Sequence, residues 1–219
     1  GNSEAYGRLF SVYSGRNELD KGLKGRPERA ESIESSGGLT WQVKLREGGP
    51  VHNGKALTAE DVIYSRGRHK DPAVASTAIT LAGQMKEFKA VSPSEVQIVL
   101  EQANFDLPSI LATSSFLIVP DGTKDFTKAI GTGPFTLKEF QPGVRTVGSK
   151  NKNYYKPGLP RLDEVELMGV TDPAARVNAL MSGDLQMVST LSANDVKRLK
   201  QNGKFNVLES KSGMYSDLI

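Results

Sequence analysis

The sequence contains no cysteine and only two histidines, His52 and His69, among its 219 residues. The absence of thiols excludes a cysteine nucleophile, a disulfide framework and a zinc site built on cysteine. Two histidines are too few for a histidine-rich zinc site. We therefore expect no resident metal and no cofactor, whereas the missing cysteines leave the redox compartment open.

Long apolar runs are also missing from the sequence. No window approaches the ~18 consecutive apolar residues of a membrane-spanning helix. The first four residues lack the basic-then-apolar pattern of a signal peptide. An exported protein would therefore be present here in a mature or trimmed form.

Neither sign of charge dominates, because the sequence contains 28 lysines and arginines and 25 acidic residues, which give a net charge of +3. The basic residues are scattered, so attraction to nucleic acid or anionic lipid is expected to be weak. A length of 219 residues with 37% hydrophobic content can form one large or two modest domains.

Catalytic motifs are scarce as well, since neither GxSxG nor HExxH occurs. Residues 49–55 match the spacing of a GxxxxGK phosphate loop, but Ala56 stands where a Ser or Thr would hold magnesium. His52 lies in a predicted turn, where an imidazole that is hydrogen-bonded or faces solvent is expected more often than a catalytic base. A hydrolase with two distant carboxylates that converge in space, and a nucleic-acid-binding module, stay open as alternatives.

Several segments carry local signals of secondary structure. Alternation of Trp41, Val43 and Leu45 predicts a strand at 40–45, and Thr58 with Asp61 predicts the cap of a helix that begins near residue 59. Met181 is expected to belong to the core by its helical spacing. Further predictions are strands at 96–100, 165–167 and 205–208, a hairpin of 136–140 with 144–148, a buried run at 116–119, and helices after residues 106, 172 and 192.

The stretch Gly131-Thr132-Gly133-Pro134-Phe135, here called the corner, precedes the predicted hairpin. Its glycines permit positive φ or the close approach of another backbone, while Pro134 fixes φ and removes a donor. This composition predicts a stiff turn with an exposed peptide face. A dinucleotide loop is excluded, because Thr136 stands where the third glycine would be.

The corner, the Pro142-Gly143 turn and residues 150–165 together resemble one family, the extracytoplasmic solute-binding proteins of peptide, opine and nickel ABC importers (solute-binding protein family 5). Residues 53–62, which end in Thr-Ala-Glu-Asp-Val, resemble the same family. So do residues 172–184, which begin Asp-Pro-Ala-Ala-Arg and end Ser-Gly-Asp. The resemblance covers almost the whole chain.

The resemblance implies an α/β (mixed α+β) fold of the periplasmic-binding-protein type II-like kind. Residues 1–21 and 130–219 would form a discontinuous domain I, and residues 22–129 an inserted domain II. The chain would be an N-terminal lobe fragment whose second lobe is absent.

The function implied is that of the substrate-binding component of an ABC importer, without catalysis. Such a protein captures a peptide-like or opine-like small molecule and delivers it to the membrane subunits of an ABC permease. The resemblance further implies a periplasmic or extracytoplasmic monomer that does not bind nucleic acid. A lobe on its own is expected to bind its solute weakly or not at all.

The family's motifs also suggest which residues contact the ligand. Tyr6, Gly7 and Arg8 correspond to the entry loop, Thr132 and Gly133 to the corner, Ser189 and Thr190 to the end of an expected strand after Gly183, and Tyr215 to an aromatic near the hinge. The acidic residue usual in the entry loop is absent. Arg8 follows instead, and a guanidinium suits a carboxylate or phosphate, which favours an acidic ligand.

Overall fold

The computed structural model describes residues 12–13, 17–19, 25–27, 29–46 and 50–208. Within these ranges, the strands are β1 Asn17–Leu19, β2 Gly25–Pro27, β3 Ala30–Ser36, β4 Thr40–Leu45, β5 Met85–Ser92, β6 Glu95–Leu100, β7 Phe135–Gln141, β8 Arg145–Lys150 and β9 Glu164–Met168. The α-helices are α1 Ala59–Gly67, α2 Ile79–Gly83, α3 Leu107–Leu111, α4 Pro173–Ser182 and α5 Ala193–Asn202. None of the helices in these ranges is long and apolar enough to cross a membrane.

The central sheet of the first half of the chain is antiparallel, with the strand order β3-β4-β6-β5. Trp41 pairs with Ile98 and Val43 with Val96, so the apolar residues of both strands face the same side. All four of these side chains are buried. The predicted strands at 40–45 and 96–100 are confirmed, and the alternation that predicted the first of them marks the core face of the sheet.

Capping residues define the helices that were predicted. At the start of α1, the Thr58 N–H donates to the Asp61 carboxylate at 2.8 Å, as part of a capping box. The Asp172 carboxylate accepts from the Ala175 N–H at the start of α4, and Ser192 caps α5 in the same manner. Gly183 ends α4 with φ of 90°, a conformation that favours glycine.

The second half of the described chain contains an antiparallel sheet with the order β7-β8-β9. Strands β7 and β8 form the predicted hairpin, whose turn contains Gly143 at φ of 74°. The corner leads directly into β7, so the first residues of this sheet determine where the corner lies.

Two clusters of buried side chains occupy the described chain, and the run at 116–119 belongs to both. Phe116 and Ile118 lie in the first cluster, with Trp41 and the four-stranded sheet. Leu117 and Val119 lie in the second cluster, with Val12, Tyr13 and Ala129. The run is buried as predicted, and its alternate side chains pack in opposite directions.

Two predictions of local structure need correction, and one strand was missed. Residues 205–208 do not form a strand, and Leu208 is 86% exposed, because a strand requires a ladder partner as well as alternation. Strand β5 was not predicted. Met181 is 40% exposed, so it does not belong to the core.

The boundaries of the predicted domains, 1–21 with 130–219 and 22–129 as an insertion, stay a prediction. The four-stranded sheet lies within 22–129 and the β7-β8-β9 sheet within 130–219. Each of these two sheets is therefore contained in one predicted unit, whereas the third sheet, in which β1 pairs with β2, joins a strand of the 1–21 segment to a strand of 22–129.

Candidate functional site

The corner lies against the first described residues of the chain. A Cβ atom placed on Gly131 would lie 2.4 Å from the Val12 carbonyl oxygen and 2.6 Å from the Tyr13 Cδ1 atom. The Gly133 N–H donates to the Val12 carbonyl at 2.9 Å. Gly131 therefore serves close approach, and its φ lies outside the left-handed region that the sequence allowed for.

His52 holds the corner from the other side through three hydrogen bonds. Its backbone N–H donates to the Gly131 carbonyl at 2.9 Å, and the Gly131 N–H donates to its Nδ1 atom at 3.3 Å. Since Nδ1 accepts, Nε2 carries the ring proton and donates to the Gly133 carbonyl at 3.0 Å. The imidazole is thus a neutral, structural group, as its position in a turn predicted.

Asn151 connects the corner to the segment after β8. Its Nδ2 atom donates to the Gly133 carbonyl at 2.9 Å, and its backbone N–H donates to the Pro134 carbonyl at the same distance. The Asn151 Oδ1 atom accepts from the Asn153 N–H at 3.0 Å. The first asparagine of the Lys-Asn-Lys-Asn sequence therefore supports the corner from the position directly after β8.

The peptide groups of the corner are internal, so the predicted exposed peptide face is wrong. Gly131 and Gly133 are buried, and Thr132 is 2% exposed. The Gly133 N–H donates to the Val12 carbonyl, and the Gly133 carbonyl accepts from the side chains of His52 and Asn151. Three segments distant in sequence thus share the hydrogen-bonding groups of this turn, because a buried peptide group without a partner is costly.

The segment that leads to the corner is held by polar side chains of α1. The Asp61 carboxylate accepts from the Asp121 N–H at 2.8 Å, and the Ser65 Oγ atom accepts from the Val119 N–H at 2.9 Å. The Arg66 guanidinium, which is fully buried, donates to the Phe116 carbonyl. Side chains of α1 thus bond to backbone groups of Phe116, Val119 and Asp121 and take the place of a strand partner at these three residues.

Ser189 and Thr190, the other described residues predicted to contact ligand, lie in an exposed loop between α4 and α5. Thr190 has φ of 59°, and the Arg176 guanidinium donates to its carbonyl at 3.3 Å. The same guanidinium donates to the carbonyls of Val170 and Thr171. Arg176, part of the motif at 172–184, thus fixes the conformation of this loop. The exposure of Ser189 and Thr190 contrasts with the burial of Thr132 and Gly133, the other described residues predicted to contact ligand.

The remaining predicted contacts, Tyr6, Gly7, Arg8 and Tyr215, fall outside the described residues. Sequence reasoning did not find the roles of His52, Asn151 and Arg176. Each of them bonds to backbone groups of other segments, and such partners cannot be read from the sequence around the residue.

Both histidines have a lowered pKa. Burial lowers the pKa of His52, while its hydrogen bond to the Gly133 carbonyl acts in the opposite direction. Burial is also the main cause at His69, where the charges of Arg68 and Arg66 contribute and the pKa falls to about 4. Both rings are therefore neutral at pH 7.

Other kinds of site find little support within the described residues. No group of three or more His, Asp or Glu side chains there could hold a metal ion. A depression of about 540 Å³ lies between Thr127–Lys128 and residues 137–142 of the hairpin. None of the residues predicted to contact ligand lines it.

A model of the bacterial extracellular solute-binding proteins, family 5, matches residues 24–218. The chain belongs to this family. The glutathione-binding protein GsiB of Escherichia coli K12, a curated relative, is 30% identical to it over 211 residues. That alignment covers 93% of the chain and 41% of GsiB, so the chain spans less than half the length of this relative.

Solved structures of similar proteins share the fold. The protein AgaA of A. tumefaciens R10, solved with agropinic acid, is 27% identical and superposes with a TM-score of 0.83, over 92% of this chain and 42% of AgaA. A nickel ABC transporter protein of Bacillus halodurans is 28% identical with a TM-score of 0.79, over 90% of this chain and 41% of that protein. The predicted family and the mixed α/β fold are confirmed.

Proposed function

We propose that this chain is part of a protein that captures a small solute outside the cytoplasmic membrane and delivers it to the membrane subunits of an ABC permease. The match of the family model over residues 24–218 carries this proposal. The solute is peptide-like or opine-like, by analogy with the relatives that bind glutathione and agropinic acid. The protein acts as a monomer, binds no nucleic acid and performs no catalysis.

Binding in such a protein requires differential affinity. A solute that contacts two lobes favours the closed arrangement only by as much as it binds that arrangement more tightly. The chain spans 41% of the relative GsiB, and we propose that it supplies one of the two surfaces. Alone, it therefore binds weakly.

The contact residues that we propose are Tyr6, Gly7, Arg8, Thr132, Gly133, Ser189, Thr190 and Tyr215. At the corner, the backbone of Gly133 is already committed to Val12, His52 and Asn151. Its part is therefore to set the wall of the site together with Thr132, which is 2% exposed, while the exposed loop at 189–190 supplies further contacts. A rigid wall limits the entropy lost on binding.

Amide shifts in ¹H–¹⁵N NMR spectra test this proposal directly. The chain is titrated separately with four probes, which are glutathione, a second tripeptide, agropinic acid and a nickel–histidine complex. We expect one of them to move the amides of Thr132, Gly133, Ser189 and Thr190, with a Kd weaker than about 100 µM for the chain alone. Shifts confined to the depression beside Thr127, or micromolar binding by this chain, would contradict it.

Two threonines of equal burial provide a matched pair of variants. Thr132 and Thr146 are each 2% exposed, the first in the corner and the second in β8. We expect Thr132→Val to weaken binding of the active probe several-fold and Thr146→Val to leave it unchanged. Mass spectrometry of the probe after incubation should return it intact, and a cleaved product would favour the hydrolase alternative.

A further inference from the structure

The imidazole of His52 is placed where it controls the backbone of the corner. It lies in the turn at 51–54, between β4 and α1, and contacts Gly131 and Gly133 some eighty residues later. Its two ring nitrogens make different bonds, since Nδ1 accepts from the Gly131 N–H and Nε2 donates to the Gly133 carbonyl. One side chain thus bonds to two peptide groups of the corner.

Only a neutral ring can make both bonds. A protonated imidazole carries a hydrogen on each nitrogen, so its Nδ1–H would face the Gly131 N–H and the two donors would repel. The bond from Nε2 to the Gly133 carbonyl would persist, with the Asn151 amide as the second donor to that oxygen. Protonation therefore acts on Gly131 rather than on Gly133.

The surroundings of the ring agree with this chemistry. Burial lowers the pKa of His52 and the Gly133 carbonyl opposes that change. Among the described residues, no ionised side chain contributes to the pKa of this ring. The segments packed against it present the backbone groups of Gly131 and Gly133 and the neutral amide of Asn151.

We infer that His52 is a positioning residue: its neutral imidazole holds Gly131 and Gly133 against the turn at 51–54, and its protonation displaces Gly131. Gly131 also contacts Val12 and Tyr13 too closely to move independently of them. A change at His52 is therefore transmitted to the first described segment of the chain. That this change alters solute binding rests on the proposed function.

A pH titration followed by NMR tests the inference without any ligand. Because the chain has only two histidines, the ring signals are assigned by comparison with a His69→Asn variant. We expect the Gly131 amide to shift with the same midpoint as the His52 ring, below pH 6.5, and the Gly133 amide to shift less. A Gly131 amide that does not respond while the His52 ring titrates would overturn the inference.

Substitutions at His52 separate its two bonds. Asn places an acceptor near the position of Nδ1, and Gln places a donor near the position of Nε2, whereas Phe provides neither. We expect amide exchange of Gly131 to be roughly tenfold faster in His52→Phe and in His52→Gln, and partly restored in His52→Asn. Equal exchange rates in all three variants would overturn the inference, and the wild-type titration still decides it if His52→Phe fails to fold.

Glutathione, as the probe, links this inference to the site. If it binds the wild type, we expect its affinity to fall several-fold in His52→Phe, to recover partly in His52→Asn, and to stay unchanged in His69→Asn at pH 7. Equal affinity in all of them would overturn the positioning role. If glutathione and the other probes do not bind the wild type, the proposed weak binding by this chain alone fails, whereas the Gly131 titration and exchange data still decide the role of His52.

Discussion

Gly131 occupies a position that has no space for a side chain. The Val12 carbonyl and the Tyr13 ring both lie within 3 Å of the place where a Cβ atom would be. The Val12 carbonyl also accepts a hydrogen bond from the Gly133 N–H. A shift of either backbone to make room for a side chain would therefore strain this bond and the packing around it.

Gly131→Ala is therefore expected to lower the free energy of unfolding by about 2–4 kcal/mol, because the new methyl group forces two backbones apart. Urea unfolding measures the change. Gly67→Ala is the control, since nothing lies within 4 Å of its Cβ position and its φ is −60°. This control should be neutral or stabilising by less than about 1 kcal/mol. A similar loss in both variants would contradict the packing explanation.

His69 gives the protein a sensitivity to acid. Its pKa is about 4 in the folded chain and ordinarily 6.5, so the unfolded chain binds more protons between these values. The contribution of His69 to stability is therefore complete above pH 6.5 and is lost as the pH falls towards 4. Its Nδ1 atom lies 2.6 Å from the Ser76 Oγ atom, and its ring packs edge-on against Phe116.

We expect the free energy of unfolding to fall less steeply between pH 6.5 and 4 in His69→Asn than in the wild type. Position 69 of the variant keeps a polar atom near Ser76 but has no side chain that titrates in this range, whereas His52 titrates in both proteins. Carboxylates titrate equally in both proteins, so the difference between the two pH profiles isolates His69. Parallel profiles would show that the ring does not couple to stability.

Helix α1 acts as a support for an irregular segment. Asp61, Ser65 and Arg66 bond to backbone groups of Asp121, Val119 and Phe116. Such side-chain bonds replace the ladder that a strand would provide. The helix thereby determines the path of the chain into the corner.

Ser65→Ala tests this support, since Ser65 is fully buried, its Oγ atom accepts from the Val119 N–H, and its hydroxyl hydrogen is shared between the Val119 carbonyl and the helical carbonyl of Asp61. We expect the free energy of unfolding to fall by about 1–3 kcal/mol, because two buried peptide groups lose their partner. Ser182→Ala is the control, as Ser182 also bonds to a helical carbonyl but is exposed. Its change should stay within about 0.5 kcal/mol. Equal losses of unfolding free energy in the two variants would contradict the stabilisation of residues 116–121 by Ser65.

The elements that could be predicted from the sequence are those with local signals. The caps at Thr58, Asp172 and Ser192 and the alternation in β4 depend on neighbours in sequence. Strand β5 could not be found in this way, because its pairing with β6 shifts register between Met85 and Glu87, which breaks the period of two.

The candidate site shows the same limit more strongly. The corner itself was recognisable from its glycines and proline, but its burial follows from His52, Asn151 and Val12, which are distant in sequence. A turn with no partners is exposed, and the same turn with three partners is internal. Nothing in the local sequence distinguishes these two cases.

At the scale of the whole molecule, the run at 116–119 forms a partition between two clusters of buried side chains. Phe116 and Ile118 pack on one side, and Leu117 and Val119 on the other. Since adjacent residues of one backbone contribute to both clusters, the loss of packing on one side is expected to be felt on the other.

Leu117→Ala tests this coupling, because the only tryptophan, Trp41, lies in the other cluster. We expect the midpoints of Trp41 fluorescence and far-UV circular dichroism to fall together, with a loss of about 2–4 kcal/mol. Leu208→Ala, at a residue that is 86% exposed, should leave both midpoints unchanged. A fluorescence midpoint that stays at the wild-type value while the dichroism midpoint falls would show two independent units.

The partition also bears on where this polypeptide can be divided. An excised piece that runs from 22 to 129 would take Leu117, Val119 and Ala129 away from Val12 and Tyr13. Their apolar surface would then face solvent, and such a piece should self-associate in solution. Anyone who grafts this unit onto another scaffold would need to bring residues 12–13 along with it, or to replace Leu117 and Val119 with polar side chains.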